Sequence, residues 1–313
     1  MYYTNIILII VFAIISQYLY RSYKLTEELF ESIEHYQLVS DYFIGEKMSK
    51  RKPILWIHTS TELNARNWES FYSRSNNKLN QPYLQITMKS IYDKCNDSFN
   101  VCLIDDDIFR RLLSWNIDLE DLAEPMKSHY RQLGLSMLLH SYGGMIVPQS
   151  LLCVKNLIDL YNQGLSKHTM FVVENTTRDS HLSETYYPDT RMMSCKKGSL
   201  CMKQMVEYQE ELYKDKTNQP DFEGNVRLWL NGQKDLTILD GKYIGLKKID
   251  ETPVLLEELL GTEHIELPVT TYGIYLPQEE ILSRSKFSWF ARMSTDQILK
   301  SSLLVAKYTL ASY

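Results

Sequence analysis

The sequence has no excess of basic residues. Its 34 Lys and Arg face 39 Asp and Glu, for a net charge of −5. Proteins that track phosphate backbones usually carry the opposite balance, so nucleic acid is not expected as a partner. The five cysteines, Cys95, Cys102, Cys153, Cys195 and Cys201, include no C-x-x-C pair, which excludes the common zinc spacings. They read as scattered free thiols. Cys195 and Cys201 are near enough in sequence to bridge a small loop, but sequence distance does not establish the geometry. There is no G-x-S-x-G, no P-loop and no G-x-G-x-x-G, which removes the usual signatures of serine hydrolases, P-loop nucleotidases and dinucleotide enzymes. Low-complexity tracts and internal repeats are also missing. Composition is otherwise that of a globular protein, with 44% apolar and 23% charged residues, and it is rich in tyrosine at 22 residues.

Charge is absent in a second place. Residues 1–20, MYYTNIILIIVFAIISQYLY, carry no charged side chain, and Ile6 to Ile15 are almost continuously apolar. About 20 helical residues span a bilayer core. No Lys or Arg precedes the run and SQYLY is a poor cleavage site, so the segment does not read as a secretory signal peptide. Tyr2, Tyr3, Tyr18 and Tyr20 stand at its two ends, as interfacial aromatics do. The expectation is a single membrane anchor over 1–22, with lipid as its partner. Arg21 and Lys24 follow it, and the positive-inside rule then places the main domain on the cytoplasmic side. Residues 23–52 read as a stalk helix followed by a basic linker, GEKMSKRKP, and the folded domain is expected over 53–313.

Within that domain, short apolar runs alternate with helical patterns. ILWIHT (54–59), FNVCLI (99–104), GMIV (144–147) and HTMFVVEN (168–175) read as strands. Residues 79–95 and 125–142 read as helices. The second has Pro125 in its first turn and Gly143 just past its end. Residues 199–215 and 252–260 read as further helices, and 295–310 as a final one capped by Ser294 or Thr295. The alternation predicts an α/β domain with a mostly parallel sheet, whose ligands sit beyond the carboxyl ends of the strands. His58, Asp105 to Asp107 and Pro148 to Ser150 all fall just past strand ends.

The order PILWIHT, a segment at Trp68, NVCLIDDD, then a helix running into YGGMIVPQS resembles the capsular polysaccharide synthesis glycosyltransferases and their mannosyltransferase relatives. The likeness covers about residues 53–175 by motif order. It is nearest to the versions carried by large DNA viruses, where an N-terminal anchor is also common, which implies a virion or other membrane setting. The family implies a nucleotide-diphospho-sugar transferase fold with an Asp-x-Asp metal site. Its signature helix carries an Asp three residues before an Arg, then Tyr-Gly-Gly, then a strand ending in the two aspartates. Tyr142, Gly143 and Gly144 are present here, but Gln132 and Leu135 replace the helix Asp and Arg, and Pro148 and Ser150 replace the two aspartates.

A divalent metal that neutralises a diphosphate wants carboxylate oxygens. Each lost carboxylate removes several kcal/mol of attraction at moderate dielectric, and about 1.4 kcal/mol is a tenfold change in rate. The candidate donor cleft is therefore His58, Asp105, Asp107, Gln132, Gly143, Gly144, Pro148 and Ser150, with no confident catalytic residue, no metal and no cofactor. The resemblance then implies a catalytically degenerate protein that serves as a binding, scaffold or structural component with protein partners. The alternative is an active transferase that is metal-independent or uses Asp105 and Asp107, with Mn or Mg and a nucleotide sugar. These two aspartates would point the same way if the segment were extended. If they instead open the helix IFRRLLSW, they suit its positive end.

Overall fold

The structure is a computed structural model that describes residues 39–45, 48–59, 81–113, 115, 117–176, 186–214 and 221–312. The expected anchor at 1–22, most of the stalk and Trp68 lie outside the described residues. Among the described residues, no helix is long and apolar enough to cross a membrane. The chain divides into two compact units, Met1–Tyr42 and Phe43–Tyr313. Every element named below belongs to the second.

The larger unit is α/β. Its elements run β1 (Ile54–His58), α1 (Tyr83–Cys95), β2 (Asn100–Ile104), α2 (Asp107–Leu113), α3 (Met126–Tyr142), β3 (Gly144–Pro148), β4 (Leu151–Cys153) and α4 (Ile158–Gly164). They continue with β5 (Met170–Thr176), β6 (Tyr186–Cys195), α5 (Leu200–Lys214), α6 (Phe222–Gly232), β7 (Thr237–Leu239) and α7 (Leu256–Leu259). The chain closes with β8 (Gly273–Tyr275), α8 (Gln278–Ser283), α9 (Thr295–Leu299) and α10 (Leu304–Ser312).

Six strands form one sheet in the order β2-β1-β3-β6-β5-β7. Pairings β1–β2, β1–β3 and β5–β7 are parallel, and β6 alone runs against both of its neighbours. The sheet is thus mostly parallel. Strands β4 and β8 pair separately as a short antiparallel ribbon. Leu55, Trp56 and Ile57 are buried in succession, the pattern of a strand covered on both faces.

Two apolar clusters hold the unit together. Leu55, Ile57, Val101, Met145, Val147, Phe171 and Val173 of the sheet meet Ile91 of α1 and Leu160 of α4. The second cluster gathers the C-terminal stretch from Val254 on, with Phe287, Phe290, Ile298 and Val305 packed on Tyr83 and Leu84 of α1. The Tyr83 and Phe290 rings lie 5.0 Å apart. The C-terminal stretch therefore packs on α1, the helix whose other residues face the sheet.

Several expectations need correction. The basic stretch read as a linker carries residues anchored to the sheet. Asn100 donates to the Ser49 and Lys52 carbonyls at 2.7 and 2.9 Å and accepts from the Ser49 N–H at 2.9 Å. The compact unit begins at Phe43, ahead of Pro53. The helix read at 252–260 shortens to α7, because Pro253 bridges Lys247 in an extended pairing. The final helix splits into α9 and α10. Ser301 turns its hydroxyl back to the Ile298 carbonyl and accepts from the Leu303 N–H, offering the backbone a local alternative to the helix. Ser294 does cap α9, in a capping box with Gln297.

Candidate functional site

The site begins with the turn that feeds β3 into the sheet. Helix α3 ends at Tyr142, and Gly143 follows with φ 72° and ψ −168°, then Gly144 with φ 99°. Side chains avoid both conformations. A Cβ on Gly143 would lie 2.8 Å from the Lys197 nitrogen, and one on Gly144 would lie 2.3 Å from the Ile54 carbonyl oxygen. The Trp56 indole N–H donates to the Gly143 carbonyl at 3.0 Å and pins the turn to β1. Gly143 and Gly144 thus shape the backbone of this turn. Tyr142 donates to the Leu112 carbonyl at 3.2 Å.

The turn sets β3 beside β1 so that Pro148 is the register partner of His58. His58 in turn pairs with Ile104, the last residue of β2. The three sequence-read strand ends do converge on one edge of the sheet. The residue that organises this edge is Asp106, the middle acid of the triplet. It accepts from Arg131 of α3 through both carboxylate oxygens, at 2.8 and 2.7 Å, and lies 2.7 Å from Nε2 of His58. Burial disfavours the Asp106 charge. The Arg131 and His58 hydrogen bonds outweigh it and hold the carboxyl well below the usual range. His58 also stacks on Phe109.

Asp105 and Asp107 do not face one another across an extended segment. The chain turns at Asp106 and α2 starts at Asp107, so Asp105 accepts from the Asp107 N–H at 3.1 Å. Asp107 pairs loosely with Arg110 at 3.7 Å, and its side chain is 69% exposed. They serve the helix start.

Pro148 and Ser150 are equally unsuited to a cation. Proline has no side-chain oxygen, and Ser150 is 2% exposed, with its carbonyl taken by the Leu276 N–H. Between them, Gln149 donates to the Gln278 side chain at 3.0 Å. Its carbonyl accepts from the Thr87 hydroxyl at 2.5 Å. Among the described residues, no group of three His, Cys, Asp or Glu could hold a metal ion. The donor set at this strand end therefore does not fit a metal bridging a diphosphate.

A cleft of about 220 Å³ opens beside this edge, between the first half of α3, strand β6, helix α6 and α8. Gln132 and Leu135, the two positions matched to the signature helix, line it. Gln132 is committed to the Thr190 hydroxyl at 2.7 Å. The charged wall comes from residues that sequence reasoning missed. Asp189, Thr190 and Arg191 all line the cleft, in a stretch of β6 where the register against β5 jumps between Val172 and Val173. Buried Asp189 accepts from Asn175 at 2.8 Å, from the Arg191 N–H at 2.9 Å and from the Arg191 guanidinium. Arg191 also donates to Glu279 of α8 at 2.8 Å. Burial opposes its charge, but Asp189 and Glu279 raise its pKa above the ordinary value. Arg227 of α6 donates to Glu223 at 3.0 Å and lies 3.9 Å from the Tyr187 ring centre, a cation–π contact. Each guanidinium of the wall has a carboxylate partner, so the lining has no strong net charge. The signal for this wall was the Asp-x-Arg spacing at 189–191, in a segment too polar to read as a strand.

No protein-family model matches this chain, and no curated protein matches it. Solved structures similar to it include a glycosyltransferase involved in glycosylation of the major capsid of PBCV-1. That match has 8% identity, covers 62% of this chain and 86% of that one, and has a TM-score of 0.37. The galactosyltransferase LgtC, with donor and acceptor sugar analogues, matches at 11% identity over 60% of this chain and 74% of its own, TM-score 0.34. The PaToxG glycosyltransferase matches at 12% identity over 67% and 79%, TM-score 0.31. All three are glycosyltransferases, but at TM-scores below 0.5 these likenesses carry no argument about this chain.

Proposed function

We propose that this protein is a membrane-anchored, glycosyltransferase-like α/β protein that has lost metal-dependent sugar transfer and acts as a binding or scaffold component. One observation carries the reading. The strand end that the sequence resemblance makes the metal site carries Pro148, Gln149 and a buried Ser150, while the neighbouring acids are engaged elsewhere. Asp106 is spent on Arg131 and His58, and Asp105 on the start of α2. The loss of two metal carboxylates alone removes several kcal/mol from any metal-assisted step, or a few powers of ten in rate. The architecture does not need those charges, because its turn rests on Gly143, Gly144 and Trp56.

The uncharged run at 1–20 supports lipid as a partner, and Arg21 with Lys24 supports a cytoplasmic main domain. The resemblance favours a viral membrane and protein partners. The test incubates the full chain with a panel of sugar nucleotides, with and without Mn²⁺, and measures release of nucleoside diphosphate. The expected result is no Mn²⁺-stimulated release. Release that depends on Mn²⁺ and disappears in Asp105→Ala or Asp107→Ala would restore the enzyme reading.

A further inference from the structure

We infer that the edge of the sheet opposite the candidate cleft is a membrane-contact surface, in which Lys50, Arg51, Lys52, Lys167, Lys196 and Lys197 meet the phosphates of an anionic bilayer. The inference rests on the lipid partner proposed above and adds which face of the folded unit meets the lipid.

Topology brings these residues together. β1, β3, β6 and β5 are successive neighbours in the sheet, and β6 runs against the other three. The residues before β1 and β5 and those after β6 therefore emerge on one edge. Hydrogen bonds hold them there. The Asn100 side chain donates to the Ser49 and Lys52 carbonyls, and the Lys52 ammonium reaches the Asn96 carbonyl at 2.9 Å. The Lys196 N–H donates to the Thr169 carbonyl at 2.9 Å, and the Gly198 N–H to the His140 carbonyl at 2.8 Å. Strands lie about 4.8 Å apart, so the cations are spread over about 15 Å of an edge tied to the sheet. Five of the six are exposed, and Lys52 is half-buried.

Charge is polarised along the strands. Of the acids near this edge, Asp93 pairs with Lys89, and Asp97 and Asp235 are matched in number by Lys94 and Lys234. The six cations are its excess, in a chain whose net charge is −5. At the other end, Asp105, Asp106, Asp107 and Asp240 follow the carboxyl ends of β2 and β7. An anionic surface attracts the basic edge and repels the acidic one, which turns the cleft away from the lipid. Leu200, at the start of α5 and just past the lysine pair, is 66% exposed. An apolar side chain among lysines suits the boundary between headgroups and acyl chains. The negative total disfavours a nucleic acid on the same cations. A basic face also supplies the second signal that strengthens an apolar anchor.

The experiment reconstitutes the full-length protein in vesicles of phosphatidylcholine alone and in vesicles with about 30% phosphatidylserine. Leu200→Cys carries a nitrobenzoxadiazole label whose emission reports polarity, since the native thiols are all buried. The emission should shift to the blue with phosphatidylserine and not with phosphatidylcholine alone. NaCl at about 0.5 M should abolish the shift, because the screening length falls to about 4 Å. Adding Lys196→Glu and Lys197→Glu, both at exposed positions, should also abolish it, whereas Lys196→Arg with Lys197→Arg should keep it. The same label at Asp107→Cys, on the opposite edge, should stay unshifted. A Leu200→Cys label that does not shift, or shifts equally in both lipids, overturns the surface. So does an equal shift at Asp107→Cys. A shift produced by duplex DNA without vesicles, and not by phosphatidylserine, assigns a nucleic acid and overturns the lipid partner. Flotation with phosphatidylcholine vesicles that resists alkaline carbonate reads the anchor separately, so a failed anchor and a failed surface give different results.

Discussion

Replacing Asp106 by Asn probes the edge of the sheet where three parallel strands end. One carboxylate there serves Arg131 through two hydrogen bonds and His58 through a third, with side chains 12–18% exposed. Hydrogen bonds to charged groups contribute about 1.5–3 kcal/mol each, and stripping a buried charge of its partner costs about 3–5 kcal/mol. Asparagine keeps one acceptor, and residual solvent screens part of the loss. The expected destabilisation is about 2–4 kcal/mol at pH 7, which for a unit of this size lowers Tm by about 5–10 °C. The pH dependence follows from the depressed carboxyl. Its stabilisation is complete above the ordinary value of 3.8 and is lost as pH falls from there through the lower folded value. Urea unfolding of wild type and Asp106→Asn, followed by circular dichroism from pH 7 to pH 3, should show a gap that is constant above about pH 5 and narrows below about pH 4. A gap under about 0.5 kcal/mol, or one that stays unchanged across this range, refutes the assigned role of Asp106.

Other outcomes follow from the same geometry. Gly144→Ala sets a Cβ 2.3 Å from the Ile54 carbonyl at a φ of 99°, so the variant should lose about 3 kcal/mol or more, or fail to fold, as read by thermal melting. Ser150→Asp should not create a metal site. It should lower Tm in both EDTA and Mn²⁺, because a carboxylate at a 2% exposed position is desolvated. Ser294→Ala removes the cap of α9 and should cost about 1 kcal/mol in chemical denaturation. All five thiols are buried, and burial pushes Cys102 and Cys195 up to about 12. A thiol reagent at pH 8 should therefore leave native protein unlabelled and titrate five groups after unfolding.

The central strands were legible because burial on both faces makes them near-continuous apolar runs, as in ILWIH and NVCLI. Helix α3 was legible from its Pro125 start and its glycine stop. Strand β6 was not, because Tyr-Tyr-Pro-Asp-Thr-Arg spends its polar residues on a cleft, and a composition reading sees only a loop. The same applies to α6, whose Asp221 cap was there to be read, but which exposes Leu228. Motif order picked out Gln132, Leu135, Pro148 and Ser150 by position alone. It did not show that Ser150 turns inward, since burial depends on Leu276 and the β8 segment more than a hundred residues away. Nor did it single out Asp106 from its two acidic neighbours, because the choice is made by where α2 begins and by Arg131 on another helix.

The most direct measurement is a Mn²⁺ titration of the full-length protein by electron paramagnetic resonance, with UDP-glucose present, against a nucleotide-only control. The account predicts that the protein removes no more free Mn²⁺ signal than the nucleotide does by itself. Extra loss of signal that Asp105→Ala or Asp107→Ala restores would show a protein-held metal on the nucleotide and contradict it.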